Sequence, residues 1–200
     1  CLLRRQRQMC IRDSYVPDTD EDGLNDVEEY HLGTDRNLDD TDGDGISDYV
    51  EYSVGNNPLM KDSDGDGLND GQEDANQNGI VDTGETDPNV SDTDGDGCSD
   101  GVEKGQNSLD FLSDPLVEDS DGDGLNDCVE FTLRSDPLLV DSDQDGIDDG
   151  SEVDVYGSIP TNSDSDGDGF TDYEEVQIGS NPSNPDSDAD GIRDDVEGID

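Results

Sequence analysis

The sequence predicts a mostly irregular chain with short α-helices: an elongated, cation-stabilised repeat array with no single central core. Three observations lead there. Only 26% of the 200 residues are hydrophobic and none is Trp, about half the apolar share of an ordinary globular domain. The formal net charge is −49, so without counter-ions the chain should be disordered. And one twelve-residue acidic pattern recurs in register along almost the whole length.

The pattern is D-x-D-x-D-G-x-x-D-x-x-E. It begins at residues 18, 40, 62, 74, 92, 119, 141, 164 and 186, with an underlying period of about 22 residues. Eight copies match every specified position; the fourth, DANQNGIVDTGE, carries Asn at the third and fifth. Low-complexity acidic sequence would supply Asp without register. The repeats are assigned to residues 15–200 and a basic, non-repeat head to residues 1–14, where Arg4, Arg5, Arg7 and Arg12 lie. That head reads as the end of a basic upstream linker or as a non-native stretch. With no initiating Met and an end at EGID, the chain is expected to be a piece of a longer one.

Each loop offers oxygen ligands at positions 1, 3, 5, 9 and 12, with the position-7 carbonyl as a further donor. A hard cation that takes six to eight oxygens needs this arrangement, and calcium is that cation. Magnesium prefers a compact octahedron and keeps its waters; zinc and copper would want His or Cys, and the one His, His31, reads as an exposed helix residue. The candidate calcium ligands are Asp18, Asp20, Asp22, Asp26 and Glu29 in the first loop, and Asp40, Asp42, Asp44, Asp48 and Glu51 in the second. The third supplies Asp62, Asp64, Asp66, Asp70 and Glu73, and the fourth Asp74, Asn76, Asn78, Asp82 and Glu85. The fifth supplies Asp92, Asp94, Asp96, Asp100 and Glu103, the sixth Asp119, Asp121, Asp123, Asp127 and Glu130, and the seventh Asp141, Asp143, Asp145, Asp149 and Glu152. Asp164, Asp166, Asp168, Asp172 and Glu175 belong to the eighth, and Asp186, Asp188, Asp190, Asp194 and Glu197 to the ninth. One ion per loop gives about nine calcium ions. Two missing charges make the fourth a weaker or more tolerant site.

After each loop a helix of two or three turns is expected, capped by a Gly such as Gly33, Gly55 or Gly179 and ended by a Pro/Asn-rich spacer such as GNNPLMKD or GSNPSNPD. Apolar residues three apart (Leu24, Val27, Tyr30; Ile46, Tyr49, Tyr52; Phe170, Tyr173, Val176) suggest a small stripe that stacking on the next unit would cover. Cys98 and Cys128 fall at positions 7 and 10 of consecutive loops; a disulfide between them is expected, two small buried thiols being the alternative. No pair of the four cysteines has C-x-x-C spacing.

Composition also narrows function. Acidity on this scale disfavours nucleic acid and anionic membranes as partners, and no apolar run is long enough to span a bilayer. The acids are equivalent from copy to copy, with no distinct His, Lys or Ser poised among them, so catalysis is not expected.

The DTDGDGISD and DSDGDGLND cores with their Asn/Pro spacers make residues 18–200 resemble the thrombospondin type 3 repeats of microbial surface proteins. The resemblance implies repeats wrapped around calcium, forming a rigid, extended segment of a secreted or cell-surface protein. Paired EF-hands fit less well, since no amphipathic helix precedes each loop and the apolar residue stands at position 7 rather than 8; dockerin-like modules have two copies. The functional expectation is a calcium-rigidified stalk or spacer holding adhesive or enzymatic domains away from a microbial surface. A self-assembling extracellular fibre or matrix subunit and a calcium buffer are the alternatives, with protein partners or self-association left open.

Overall fold

The computed structural model describes residues 17–106 and 112–197; the expected head, residues 1–14, lies outside them, as does the Glu197 side chain. The chain divides into two compact units, one ending at Ser91 and the other starting at Asp92. The first carries loops one to four and the second loops five to nine.

Among the described residues there are short helices and no strands. We label the helices α1 (Asp26–Leu32), α2 (Asp48–Val54), α3 (Asp70–Glu73), α4 (Asp127–Leu133), α5 (Asp149–Ser151), α6 (Asp172–Ile178) and α7 (Asp194–Glu197). A π-helical stretch, Glu152–Tyr156, continues α5, and another, Val102–Gln106, follows the fifth loop. The longest helices have seven residues, about two turns, the lower end of the expected length, and α3, α5 and α7, with three or four residues, fall short of it. The cause is local. Each helix starts inside the loop, at position 9, because the position-8 residue is its N-cap: Asn25, Ser47, Asn126, Asp148 and Thr171 each accept a backbone N–H of the first turn. The seven-residue helices end where a left-handed residue closes them: Gly33 (φ 94°), Gly55 (φ 102°), Gly179 (φ 87°) and, with a side chain, Arg134 (φ 71°).

Residues six to nine after a loop's final Glu turn the chain back, or eleven to fourteen after Glu103. Backbone N–H groups of Leu38, Met60, Val117, Leu139 and Asn184 donate to carbonyls three residues earlier, at Asp35, Asn57, Asp114, Asp136 and Asn181. Pro at the second turn position (Pro58, Pro115, Pro137, Pro182) pre-sets the required φ. The returning strand of backbone then meets the loop, as the Asp48, Asp70, Asp149 and Asp172 N–H groups donate to the carbonyls of Asp39, Lys61, Val140 and Ser163.

The expected apolar stripe is not covered. Val27, Tyr30, Tyr49 and Tyr52 are exposed, Tyr30 by 83%. What is buried is the position-7 residue (Leu24, Ile46, Leu68, Cys98, Leu125, Ile147), with Phe131, and around it a set of carboxylates. Helix geometry explains this: positions 9 and 12 are three apart and share a face, so when both turn towards the loop, positions 10 and 13 face away. The core of these six repeats is one apolar side chain surrounded by acids, whereas Ile80 and Ile192 at the same position are exposed.

Candidate metal centre

The loop is built by its own carboxylates. Position 6 is Gly in all nine copies, with φ between 75° and 115°, a conformation that costs other residues strain. Around that turn the position-1 carboxylate accepts two backbone N–H groups, as at Asp40 from Gly43 (2.6 Å) and Gly45 (2.9 Å). One oxygen of the position-3 Asp accepts the position-5 N–H at 3.0–3.3 Å. One oxygen of the position-5 Asp accepts the position-7 N–H at 2.7–2.9 Å.

The other oxygen of position 5 reaches the next repeat. Asp22, Asp44, Asp96, Asp123, Asp145 and Asp168 accept from the position-10 N–H of Tyr49, Gly71, Cys128, Gly150, Tyr173 and Asp195 at 2.7–3.3 Å. Repeats are thus joined by a helix N-terminus resting on the preceding loop's carboxylate. The approach is close enough that a Cβ on Gly71 would lie 2.4 Å from the Asp44 carbonyl oxygen, and on Gly150, 2.6 Å from that of Asp123. At this junction Cys98 and Cys128 are joined as a disulfide, their Cα atoms 5.2 Å apart.

The position-9 Asp, expected as a ligand of its own loop, has a second neighbour. In Asp48, Asp70, Asp127 and Asp172 both oxygens are held by the hydroxyl and N–H of the position-2 residue: Thr41, Ser63, Ser120 and Ser165. The same carboxylates border the preceding loop; Asp70 forms one cluster with Asp44 and Glu51, their oxygens within 4.8 Å of one another. The position-9 acid therefore stands between two cages. Asp18 with Asp20 and Asp22, Asp40 with Asp42 and Asp44, and Asp62 with Asp64 and Asp66 form clusters of the same tightness.

The position-2 hydroxyl was not among the sequence candidates. It also accepts the spacer N–H of Asp35, Asn57, Asp114, Asp136, Ile159 and Asn181, at 2.7–3.1 Å, in Thr41, Ser63, Ser120, Ser142, Ser165 and Ser187. Its signal was present: position 2 is Thr or Ser in eight loops and Ala75 in the fourth. A second overlooked group, Ser113, Ser158 and Ser180 just before the spacer turn, donates to Glu103, Glu152 and Glu175.

After these bonds are counted, a row of buried oxygens has no hydrogen-bond partner. One oxygen each of Asp20, Asp42, Asp94, Asp121, Asp143 and Asp166 is buried and unpaired, as are both of Glu29, Glu51 and Glu130 and one each of Glu73, Glu103, Glu152 and Glu175. Burial first, and the facing Asp carboxylates second, push these groups up: Glu29 to about 7, Glu51 to about 9, and Glu73 and Glu130 to about 8. Glu103, Glu152 and Glu175 also rise to about 8, again chiefly by burial. Asp42, Asp121 and Asp143 rise to about 6 for the same reasons. An unpaired buried carboxylate costs several kcal/mol, and here several converge on one point. A divalent cation that coordinates oxygen alone would satisfy them together, and the donor set fits calcium.

The fourth loop differs. Asp82 is exposed and accepts Nδ2–H bonds from Asn76 (3.0 Å) and Asn78 (2.8 Å), which hold its carboxyl below the usual range. One Glu85 oxygen accepts from Asn76 and the other from the Asp82 N–H. Its acids are satisfied by amides. In the ninth loop the Asp194 carboxylate accepts both Ser187 groups.

A chain of tandem acidic cages, locked to one another through shared carboxylates from loop one to three and from loop five to nine, defines a calcium-binding structural repeat protein. The bacterial TSP3 repeat matches at residues 18–35, 40–61, 62–77, 92–108, 119–139 and 164–185, more than half of the chain, and the chain belongs to that family. TSP3 repeats bind calcium in extracellular proteins and are structural, not enzymatic. No curated protein and no solved structure matches the chain. No helix among the described residues is long and apolar enough to cross a membrane.

Proposed function

We propose that residues 15–200 form a calcium-rigidified stalk or spacer of a secreted or cell-surface protein. The observation that supports this is the row of buried, unpaired carboxylate oxygens in loops one to three and five to eight. Each such loop takes at least one ion through positions 1, 3, 5 and 12, with the position-9 acid of the next repeat closing the cage except in loop three, whose neighbour's Asp82 is held by Asn76 and Asn78; the ninth follows by sequence, and the fourth is the weakest. About nine ions is the expected total. Bound calcium then fixes each junction, because the position-5 carboxylate that faces the ion also holds the following helix. Native mass spectrometry over a calcium titration, with small-angle scattering at each step, tests this reading. Stepwise loading with a stiffening profile is expected. Four or fewer ions per chain, or an unchanged profile, overturns it, and concentration-dependent filaments in calcium would favour a fibre subunit.

A further inference from the structure

The chain contains a single Asn-Gly step, Asn78–Gly79, and it stands at positions 5 and 6 of the fourth loop, where the other eight loops have Asp-Gly. We propose that this step is a self-modification site at which the Asn78 side-chain amide is lost as ammonia, converting the loop towards the acidic form of its neighbours.

The surroundings of the step are arranged for that chemistry. The attacking group would be the Gly79 backbone nitrogen, whose N–H donates to Asp74 Oδ2 at 2.5 Å, so the proton has an acceptor. The electrophile is the Asn78 side-chain carbonyl; its Oδ1 accepts the Ile80 N–H at 2.6 Å, which stabilises charge developing on that oxygen. The leaving nitrogen, Nδ2, donates to Asp82 Oδ2 at 2.8 Å. Glycine leaves its own nitrogen unhindered, and Asn78 is exposed to water. The bond formed joins Gly79 N to Asn78 Cγ, and the bond broken is Cγ–Nδ2. The proton from Gly79 passes through Asp74 to the departing ammonia. One water then opens the cyclic imide. Opening at the side-chain carbonyl leaves Asp; opening at the main-chain carbonyl leaves isoaspartate. Overall, one water is consumed and one ammonia released, with no oxidant or reductant.

The Asp product removes the Nδ2–H bond to Asp82 and places a carboxylate at position 5, releasing Asp82 from one of its two amide donors. That consequence for calcium rests on the function proposed above; the loss of the amide does not.

Peptide mapping by mass spectrometry of the full chain, held at mildly alkaline pH in EDTA, tests the chemistry. Asn78 in the folded chain is expected to lose its amide several-fold faster than in the same chain in urea, and faster than Asn25, Asn69 or Asn126. A rate equal to or below that in urea overturns the proposal. Fragmentation that finds isoaspartate alone would overturn the conversion to the acidic form. Calcium stoichiometry of Asn78→Asp against Asn78→Gln is expected to differ by one ion, and equal counts would overturn the calcium consequence. If neither variant binds calcium in any loop, the proposed function fails while the mass result stands.

Discussion

Loops three and four are adjacent in sequence, share the same twelve-residue frame and solve the same electrostatic problem in opposite ways. Loop three ends on Glu73, which is 2% exposed and keeps one buried oxygen without a partner. Loop four ends on Glu85, whose two oxygens both accept N–H groups. The difference comes from two side chains. Asn76 and Asn78 carry NH2 donors where a regular loop has carboxylates, and donors can bond the acids that would otherwise face an ion. A regular loop is thus incomplete without a cation, whereas loop four is largely complete without one.

The largest effect that follows is the response to calcium removal. At calcium ten to a hundred times its dissociation constant, each ion contributes about 1.4–2.7 kcal/mol, and the closing Glu of each of loops one to three and five to eight keeps at least one buried oxygen with no hydrogen-bond partner. EDTA should therefore weaken the helical circular dichroism of the array. Amide exchange should lose protection at Ile46 and Leu125, whose N–H groups bond position-5 carboxylates, more than at Ile80. Equal loss at Ile80 would break the contrast between the two loop types.

Exchanging the closing acid sharpens it. With calcium present, Glu51→Gln should cost about 1.4–2.7 kcal/mol, the contribution of its ion. In EDTA the sign should reverse, since the substitution removes a buried charge crowded by Asp42 and Asp44. Glu85→Gln should cost about 1 kcal/mol, the value of an ordinary hydrogen bond, with or without calcium. Chemical denaturation of both variants in both buffers reads the four numbers.

Acid provides a third contrast. Glu73 titrates near 8 when folded and at 4.5 ordinarily, so the folded, calcium-free loop binds a proton that the unfolded chain does not. Its contribution is fully present below about 4.5 and is lost as pH rises through about 8. The calcium-free chain should therefore gain helical signal as pH falls across that window, while calcium affinity weakens because protons compete for the same oxygens. Asp82 runs the other way: its hydrogen bonds favour the ionised form, so loop four gains nothing from acid there. Calorimetric calcium affinity that is flat between about pH 8 and pH 5 would contradict the burial of these groups.

How much of this was legible beforehand follows from what a spacing can encode. The cages were readable because positions 1, 3, 5, 9 and 12 repeat in register, and the caps at Gly33, Gly55 and Gly179 because a helix end needs a left-handed residue. The apolar stripe misled: Leu24, Val27 and Tyr30 have helical spacing, but the helix begins only at Asp26, so Leu24 belongs to the loop and its burial says nothing about Tyr30. The bond from Tyr49 N–H to Asp22 joins residues 27 apart, and no local pattern announces such a contact. The position-2 hydroxyl was visible as a repeated Thr or Ser, but its role appears only when the spacer folds back onto it.

The smallest expected effect concerns position 4, where the chain is left-handed in every loop. Five regular loops place Gly there, whereas Glu21 (φ 68°), Gln77 (φ 59°), Gln144 (φ 64°) and Ala189 (φ 62°) adopt the same conformation with a side chain. A left-handed non-Gly residue costs about 1–2 kcal/mol, part of which Gly returns through the extra freedom of its unfolded chain. Gln144→Gly should therefore stabilise the array by about 0.5–1 kcal/mol, leaving the bond from the residue-144 N–H to Asp141 (2.7 Å) in place. Because the backbone is unchanged, the gain should be the same in calcium and in EDTA-free, low-calcium buffer wherever the array remains folded. Gln77→Gly offers the matched measurement in loop four. An equal gain at both sites would show that the two loop types share one backbone and differ only in how their acids are satisfied; a gain confined to Gln144 would mean that the amides of loop four hold a backbone of their own.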